Sequence, residues 1–416
     1  MKTVYAFYAS DRYWPDREKL ETAYKDLAGR LDAGNAHLLT DGIELDAKGD
    51  VLVVVPMSGA VQAKILKDAR RFDKAVLYAS YIDGNSDEEN ADRMLRANAA
   101  PTLMDTWAVL HREPGNVMLA RNVRELADKL SVLEAYFFVK GARILKIGQT
   151  EPWVVSNAES VSAYEERFGV TIIPVEQSEV EQRFQETTRK EARKYHDDFG
   201  ENACGCVEPT DEDLWEASRM AAALVSVMEK YKADACAIAC FNLLKTGTNT
   251  CLGVSAVNDT SDKAAACECD MDSCLTMLLM KKLSRSNLWM ANPALRSSGL
   301  VNFSHCTGAL NMNGSCRYIL RNHHESGIGV SLQIEYPPEE TVTSVRISNE
   351  AKDITIQKGK TVKGERLNCC RTQIYVKYDD PNKYLETSLG CHQVFAFDDI
   401  ADKVRDLAGL FGLHIL

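Results

Sequence analysis

The stretch "AAACECDMDSCLTMLLMKKL", residues 264 to 283, places three carboxylates on alternate positions at the head of an apolar run. If residues 264 to 270 form a β-strand, its side chains alternate between two faces, so Glu268 and Asp270 point one way and the cysteines the other. The rest of the stretch predicts a helix with its N-cap at Asp272 or the next residue, and with lysines at its end, where the helix dipole favours cations. A strand that ends in carboxylates just before a helix is typical of the catalytic edge of an open α/β sheet.

The composition excludes several classes of protein. The 416 residues are 45% hydrophobic and 26% charged, which is ordinary for a globular chain of two or three domains and excludes a disordered or fibrous protein. No run of 18 apolar residues occurs, and the apolar run at the start is too short for a signal peptide, so we expect a cytoplasmic protein without a membrane partner. The net charge is -11 and no basic cluster interleaved with aromatic residues is present, which argues against a nucleic-acid partner.

The cysteines are numerous and unevenly placed. All thirteen lie between Cys204 and Cys391, and no pair has zinc-finger spacing. In a reducing compartment they are free thiols or ligands rather than a disulfide framework. We expect most of them to be small buried hydrophobic side chains.

The order of strand-like and helix-like segments predicts an α/β chain in its first two parts. Residues 1–135 alternate short β-branched or aromatic runs with amphipathic stretches, which is the βαβ rhythm of a parallel sheet. A second unit of this kind begins at "ARILKIGQ", so residues 136–295 form a second α/β domain that carries the carboxylate edge. A polar segment, residues 176–213, reads as an exposed helix and loop.

The rhythm changes near residue 300. Short alternating runs follow one another without helices between them, for example "GIGVSLQIEY", "TVTSVRIS" and "TQIYVKY". This pattern predicts a small antiparallel sheet or barrel in a third domain, residues 296–416, which ends with a helix in "DDIADKVRDLAGLFGL".

Three segments, taken together, resemble the landmarks of the L-fucose and L-arabinose isomerase family. They are "ACECDMDSCLTM" (266–277), "NLWMANPA" (287–294) with "FSHCTGAL" (303–310), and "LGCHQVFAFDDIADKVRDLAGLFGL" (389–413). The segment "LKIGQTEPW" with "ERFGVTIIPVE" is similar to the middle domain of that family. The resemblance covers about two thirds of the chain and is weakest before residue 135.

The resemblance implies a fold, a cofactor and a set of site residues. It implies two Rossmann-like domains followed by a β-barrel domain, a divalent cation that is usually Mn²⁺, and interconversion of aldoses and ketoses. It makes Glu268 a metal ligand and acid/base group, and His392 a second metal ligand. Asn292 stands where the family has an acidic ligand. An amide oxygen can still bind a hard cation but cannot transfer a proton, so metal binding survives this departure better than the usual chemistry does.

The residue types alone agree with a metal site. A carboxylate, an amide and an imidazole form a mixed oxygen and nitrogen set suited to Mn²⁺, Fe²⁺ or Zn²⁺. A cation held by such a set has open positions for a sugar, and it would polarise the carbonyl and stabilise an enediolate.

Four other residues are candidates for the site, each with a structural alternative. His305, in "FSHCTG", is a candidate acid/base residue because its ordinary pKa is near neutral, or else a hydrogen-bonded core histidine. His324 and Glu325, in "RNHHESGIG", are candidates to bind a substrate hydroxyl, or else are solvated loop residues. Asp270 is a candidate substrate contact, or else a helix cap.

These observations lead to one function with three alternatives. We expect a metal-dependent aldose–ketose isomerase that acts on a sugar or sugar derivative through an enediolate. The alternatives are a metal-dependent lyase, an epimerase, or a sugar-binding protein of the same fold without turnover. The resemblance also implies a homo-oligomer, either a trimer or a hexamer.

Overall fold

The computed structural model describes residues 1–80, 91–112, 115–296, 299–310 and 317–416. The chain divides into two compact units. The first comprises residues 1–137 with 409–412, and the second comprises residues 138–408 with 413–416. The second unit contains most of the second α/β domain and of the barrel domain that the sequence predicts, but residues 136–137 and 409–412 belong to the first unit.

The first unit is built on a parallel sheet of five strands. They are β1 (Thr3–Tyr8), β2 (Ala36–Leu39), β3 (Val51–Pro56), β4 (Lys74–Tyr78) and β5 (Val117–Ala120). The helices are α1 (Arg17–Arg30), α2 (Gln62–Ala69), α3 (Ala91–Leu110) and α4 (Val123–Val139). The strand order is β2-β1-β3-β4-β5, one of the two common orders of doubly wound sheets. Every residue of β3 is buried, because helices that cover both faces of a parallel sheet require continuous apolar strands.

The second unit begins with another parallel sheet. Its strands are β6 (Arg143–Ile147), β7 (Thr171–Val175), β8 (Ala235–Ile238) and β9 (Ala264–Ala266), in the order β7-β6-β8-β9. The helices are α5 (Ser162–Phe168), α6 (Gln177–Glu186), α7 (Arg189–Glu201), α8 (Asp211–Lys230), α9 (Cys251–Asn258) and α10 (Met271–Lys281), with a 3₁₀ helix at Phe241–Thr246. The winding repeats that of the first four strands of the chain, so strand order reverses between β6 and β8. This is where open α/β sheets form a crevice at the carboxyl ends of their strands.

The remaining strands of the second unit form a barrel and a hairpin. They are β10 (Leu288–Leu295), β11 (Leu300–His305), β12 (Arg317–Arg321), β13 (Ser331–Glu335), β14 (Thr341–Ser348), β15 (Asp353–Val362), β16 (Thr372–Tyr378), β17 (Gln393–Ala396) and β18 (His414–Ile415). Six antiparallel strands, in the order β14-β17-β10-β11-β16-β15, close into a barrel through the pairing of β14 with β15. Strands β12 and β13 pair with each other in a separate two-stranded sheet. Two further helices are α11 (Pro381–Glu386), between β16 and β17, and α12 (Ala401–Leu410), after β17.

Aromatic side chains fill the barrel. Trp289, Phe303 and Phe395 are buried and lie in one apolar cluster with the aliphatic side chains of neighbouring strands. The indole N–H of Trp289 is not left unpaired, because it donates a hydrogen bond to the backbone oxygen of Thr307 at 2.8 Å. The sequence prediction of two parallel α/β sheets followed by an antiparallel barrel is therefore confirmed at this level.

Two local predictions in the opening stretch are wrong. Strand β9 ends at Ala266, and the backbone after it turns, so the alternation of faces expected up to residue 270 does not occur. The N-cap of α10 is Asp270, whose carboxylate accepts the Ser273 N–H, and not Asp272. The turn places the carboxylates by backbone conformation instead of by strand periodicity.

Among the helices of the described ranges, none has both the length and the apolar character required to span a bilayer.

Candidate metal centre

Three side chains from distant segments converge at the carboxyl edge of the second sheet. Glu268 follows β9, His305 ends β11, and His392 immediately precedes β17. Glu268 Oε1 lies 3.3 Å from His392 Nε2 and 3.8 Å from His305 Nε2. One ligand atom from each residue lies within 4.8 Å of the other two, and all three residues are buried.

The turn that carries Glu268 has a strained backbone. Glu268 and Cys269 have φ angles of 60° and 50°, in the left-handed region that costs a residue with a side chain about 1 kcal/mol or more. Neighbouring backbone groups hold this conformation. The Cys269 N–H donates to the backbone oxygen of Ile238 at 2.9 Å, and the Glu151 N–H donates to that of Glu268 at 3.1 Å. The turn thus connects β9 to the ends of β6 and β8.

A buried ionic network lies behind His392. The Nδ1 of His392 is 2.8 Å from Asp270 Oδ2. The same oxygen accepts a hydrogen bond from the Arg346 guanidinium at 2.7 Å. Arg346, on β14, is fully buried and also reaches Asp272 Oδ2 at 3.3 Å. The network therefore connects the barrel to the start of α10 and fixes the imidazole from its far side.

The charges of this cluster shift its pKa values. Burial alone would raise the pKa of Glu268, but His305 and His392 outweigh it and hold that pKa below its ordinary value. Burial disfavours the protonated form of His392, but its hydrogen bond to Asp270 and the nearby Glu268 carboxylate raise its pKa. Burial opposes ionisation of Asp270 as well, but the Arg346 charge dominates and lowers its pKa. The cluster therefore accommodates a positive charge between two carboxylates, either as a proton on His392 or as a bound cation.

The donor set fits a divalent cation. His392 Nε2 is buried and has no hydrogen-bond partner among the residues that the structure describes, although it faces Glu268. When His392 is neutral and its Nδ1 donates to Asp270, its Nε2 is the nitrogen with a lone pair, as in a carboxylate–histidine–metal triad. A cation bound at Nε2 would take the place of the proton that the two carboxylates otherwise favour. Ligand atoms bound at about 2.1 Å lie roughly 3.0–3.5 Å apart. The 3.3 Å distance from Glu268 to His392 is within this range, and the 3.8 Å distance from Glu268 to His305 is longer.

An aromatic wall lies on one side of the three residues. The Trp153 indole N–H donates to Glu268 Oε2 at 2.6 Å. The Trp153 ring packs edge-to-face on Phe241, with centroids 5.0 Å apart, and Phe241 packs in the same way on His323 at 5.6 Å. Glu325 lies next to this wall, since its carboxylate is 3.2 Å from His323 Nε2.

The ligand set differs from the one that the sequence predicts. Glu268 and His392 come together as the resemblance implies, and His305, which we expected to be an acid/base residue, joins them as a third ligand candidate. Asn292 pairs with Ser304 in the barrel, next to His305, and extension of the register of β17 by one residue places it opposite His392. Asn292 is half-buried there, and its role as a ligand remains a prediction.

The other predicted site residues have different surroundings. Asp270 is fully buried and accepts hydrogen bonds from Ser273, Arg346 and His392, which are the contacts of a positioning residue. Its contact with a substrate stays a prediction. His324 is half-buried and Glu325 is exposed, in the loop before β13. Their contacts with a substrate stay predictions.

Glu151 is a functional candidate that sequence reasoning missed. It is buried, its Oε1 accepts the Phe241 N–H at 3.3 Å, and its backbone bonds to the Glu268 turn. Burial raises its pKa, and the negative charge of Glu268 adds to this effect, while the Phe241 N–H opposes it. A sequence signal was available, because Glu151 and Glu268 each lie within four residues of the carboxyl end of a strand, β6 and β9.

The cysteines beside the site do not join the metal group. Cys267 and Cys306 are buried and Cys391 is half-buried, and within the described ranges none of them belongs to the cluster of Glu268 and its two histidines. Two of them also make polar contacts, because the Cys306 sulfur accepts the His324 N–H at 3.4 Å and the Cys391 sulfur lies 3.6 Å from His392 Nδ1. That these cysteines serve only as small apolar side chains stays a prediction. No protein-family model matches the chain, and a search of curated proteins finds no relative.

Proposed function

We propose that this chain is a metal-dependent aldose–ketose isomerase that acts on a sugar or sugar derivative through an enediolate. The observation that carries the proposal is the buried group of Glu268, His305 and His392 at the carboxyl edge of a parallel sheet. The resemblance to the L-fucose and L-arabinose isomerase family supports it, because Glu268 and His392 were selected by that resemblance. The repeated winding of the two parallel sheets supports the two Rossmann-like domains that the resemblance implies.

The metal is proposed to be Mn²⁺, with Zn²⁺ and Fe²⁺ as alternatives. Two imidazoles and one carboxylate form a softer ligand set than the carboxylate, amide and imidazole expected from the sequence. The two-imidazole set therefore suits Zn²⁺ and Fe²⁺ better than the expected set does. When bound, the cation would polarise the sugar carbonyl and hold two adjacent oxygens.

Side chains must carry out the proton transfers of the reaction, because the cation would only polarise the carbonyl and hold the oxygens. Isomerisation requires one group to take the C2 proton and another to manage the hydroxyl proton. Asn292 cannot do either, and His305 is engaged as a ligand candidate. Glu151 is the proposed second acid/base group beside Glu268, because it is a buried carboxyl group that adjoins the Glu268 turn and whose pKa is raised by burial.

The test combines metal analysis with isotope exchange in the full-length chain. The purified protein should contain a divalent metal, and an NMR screen of aldoses and ketoses in deuterated solvent should show deuterium entering C2 of a substrate. Glu268→Gln and His392→Ala should lose metal, because the remaining ligands cannot complete the coordination. Glu151→Gln should keep the metal and lose exchange by about 100-fold or more.

A control and the alternatives complete the design. His414→Ala removes an exposed histidine of the same unit and should leave metal content and exchange unchanged. Full metal content in both Glu268→Gln and His392→Ala would contradict the metal site. Epimer formation or elimination would indicate the epimerase or lyase, and ligand-induced stabilisation without exchange would indicate a sugar-binding protein.

A further inference from the structure

Trp153 and the two histidines divide the oxygens of Glu268 between them. The Trp153 indole N–H donates to Oε2 at 2.6 Å. Oε1 is the oxygen that faces His392 Nε2 at 3.3 Å and His305 Nε2 at 3.8 Å. One oxygen is therefore held by a hydrogen bond and the other faces the proposed metal position.

The indole is fixed to the same turn as the carboxylate. The Val154 N–H, next to Trp153, donates to the Glu151 oxygen at 2.9 Å, and the Glu151 N–H donates to the Glu268 oxygen at 3.1 Å. The ring stands edge-to-face on Phe241 with an interplanar angle of 84°. Trp153 is nevertheless 51% exposed as a residue, whereas Glu268 is buried, so this donor reaches a buried carboxylate from the solvent side.

We propose that Trp153 is a positioning residue that restricts Glu268 to binding the metal through one oxygen. A carboxylate with two free oxygens can chelate a cation and occupy two coordination positions. A strong N–H donor on Oε2 opposes this, because the charge-assisted hydrogen bond must break before Oε2 can bind the metal. The coordination position that Oε2 would otherwise occupy would then be open to a substrate oxygen. The inference rests on the metal site of the proposed function but does not depend on isomerisation.

The test uses two substitutions that separate the N–H from the ring. Trp153→Phe keeps an aromatic ring against Phe241 but removes the donor, and Trp153→His restores an N–H. Co²⁺ titrations followed by visible absorption report coordination number, and Zn²⁺ titrations by calorimetry report affinity. We expect Trp153→Phe to weaken Zn²⁺ binding by about 10-fold or more and to give the weaker Co²⁺ absorption of a higher coordination number. Trp153→His should recover part of the parent spectrum.

A matched control separates this effect from a general effect on folding. Trp215, in the same unit, stacks on His196 with centroids 3.8 Å apart and has no contact with the metal group, so Trp215→Phe should retain the parent affinity and spectrum. A parent-like Co²⁺ spectrum in Trp153→Phe would overturn the proposal, as would failure of the parent to bind either metal. Altered spectra in a protein that isomerises no sugar would support the role of Trp153 and contradict only the isomerase.

Discussion

At the scale of single residues, the site depends on the hydrogen bonds that orient its candidate ligands. His392 is oriented by Asp270, and Asp270 shares Arg346 with Asp272. Both aspartates therefore stabilise Arg346, but only Asp270 touches the imidazole. A metal-bound histidine is usually held in this way by a carboxylate, which fixes the tautomer and makes the ring a better ligand.

Replacement of Asp270 should therefore weaken the metal site beyond any effect on folding. We expect Asp270→Asn to reduce Zn²⁺ affinity by about 10-fold or more, because the neutral amide no longer increases the basicity of His392. Asp272→Asn is the matched control, since it disturbs Arg346 without touching the imidazole. Calorimetric titration of the two variants, with thermal unfolding of each, measures both effects. An equal loss of affinity in both would assign the effect to Arg346 packing.

At the scale of elements, the polar segment before α8 is more ordered than its sequence indicates. The Cys204 N–H donates to the Tyr318 oxygen at 2.8 Å, and the Val207 N–H donates to the Leu320 oxygen at 3.1 Å, so the segment lies along β12. Glu208 then forms a two-pronged ion pair with Arg321, with contacts of 2.7 and 2.5 Å. A segment predicted to be a loop is thus attached to the hairpin.

The Glu208 pair predicts a pH-dependent contribution to stability. The Arg321 guanidinium lowers the pKa of Glu208 to about 2, so the pair stabilises the fold above the ordinary glutamate pKa, and the contribution is lost as pH falls towards 2. Glu208→Gln should reduce the free energy of unfolding by about 1 kcal/mol at pH 7, a value kept low because part of the side chain reaches solvent.

Denaturant unfolding of the parent and Glu208→Gln between pH 7 and pH 2.5 checks this expectation. The difference between the two should shrink as the pH falls. Glu212→Gln, which breaks the more exposed pair with Arg189, is the control and should change stability much less than Glu208→Gln does. A constant difference across the pH range would contradict the assignment to the ionised carboxylate.

At the scale of the whole molecule, we expect a homo-oligomer, either a trimer or a hexamer. The expectation comes from the family resemblance. Multi-angle light scattering of the full-length chain at micromolar concentration, with and without a chelator, measures the mass directly. A monomer in both conditions would contradict the expectation, whereas dissociation only in the chelator would connect assembly to the metal.

The sequence alone determined the order of layers, and the family resemblance selected two of the three members of the candidate metal group. Runs such as "VLVVVP", residues 51–56, are buried on both faces only in a covered parallel sheet, and the alternating runs after residue 300 fit antiparallel pairing. Glu268 and His392 were predicted because the segments around them resemble those of the L-fucose and L-arabinose isomerase family. Local patterns carry this information because each depends on residues close together in the chain.

Only the tertiary structure decided the remainder of the site. The left-handed turn at Glu268 depends on hydrogen bonds from the ends of β6 and β8, and no local propensity favours φ near 60° in a glutamate. His305 becomes a ligand candidate, and Trp153 a hydrogen-bond partner of the Glu268 carboxylate, because a barrel strand and a sheet loop meet at that turn. These contacts join residues more than a hundred positions apart, except for the pair Glu268 and His305, and such pairings are fixed by the packing of the barrel against the sheet.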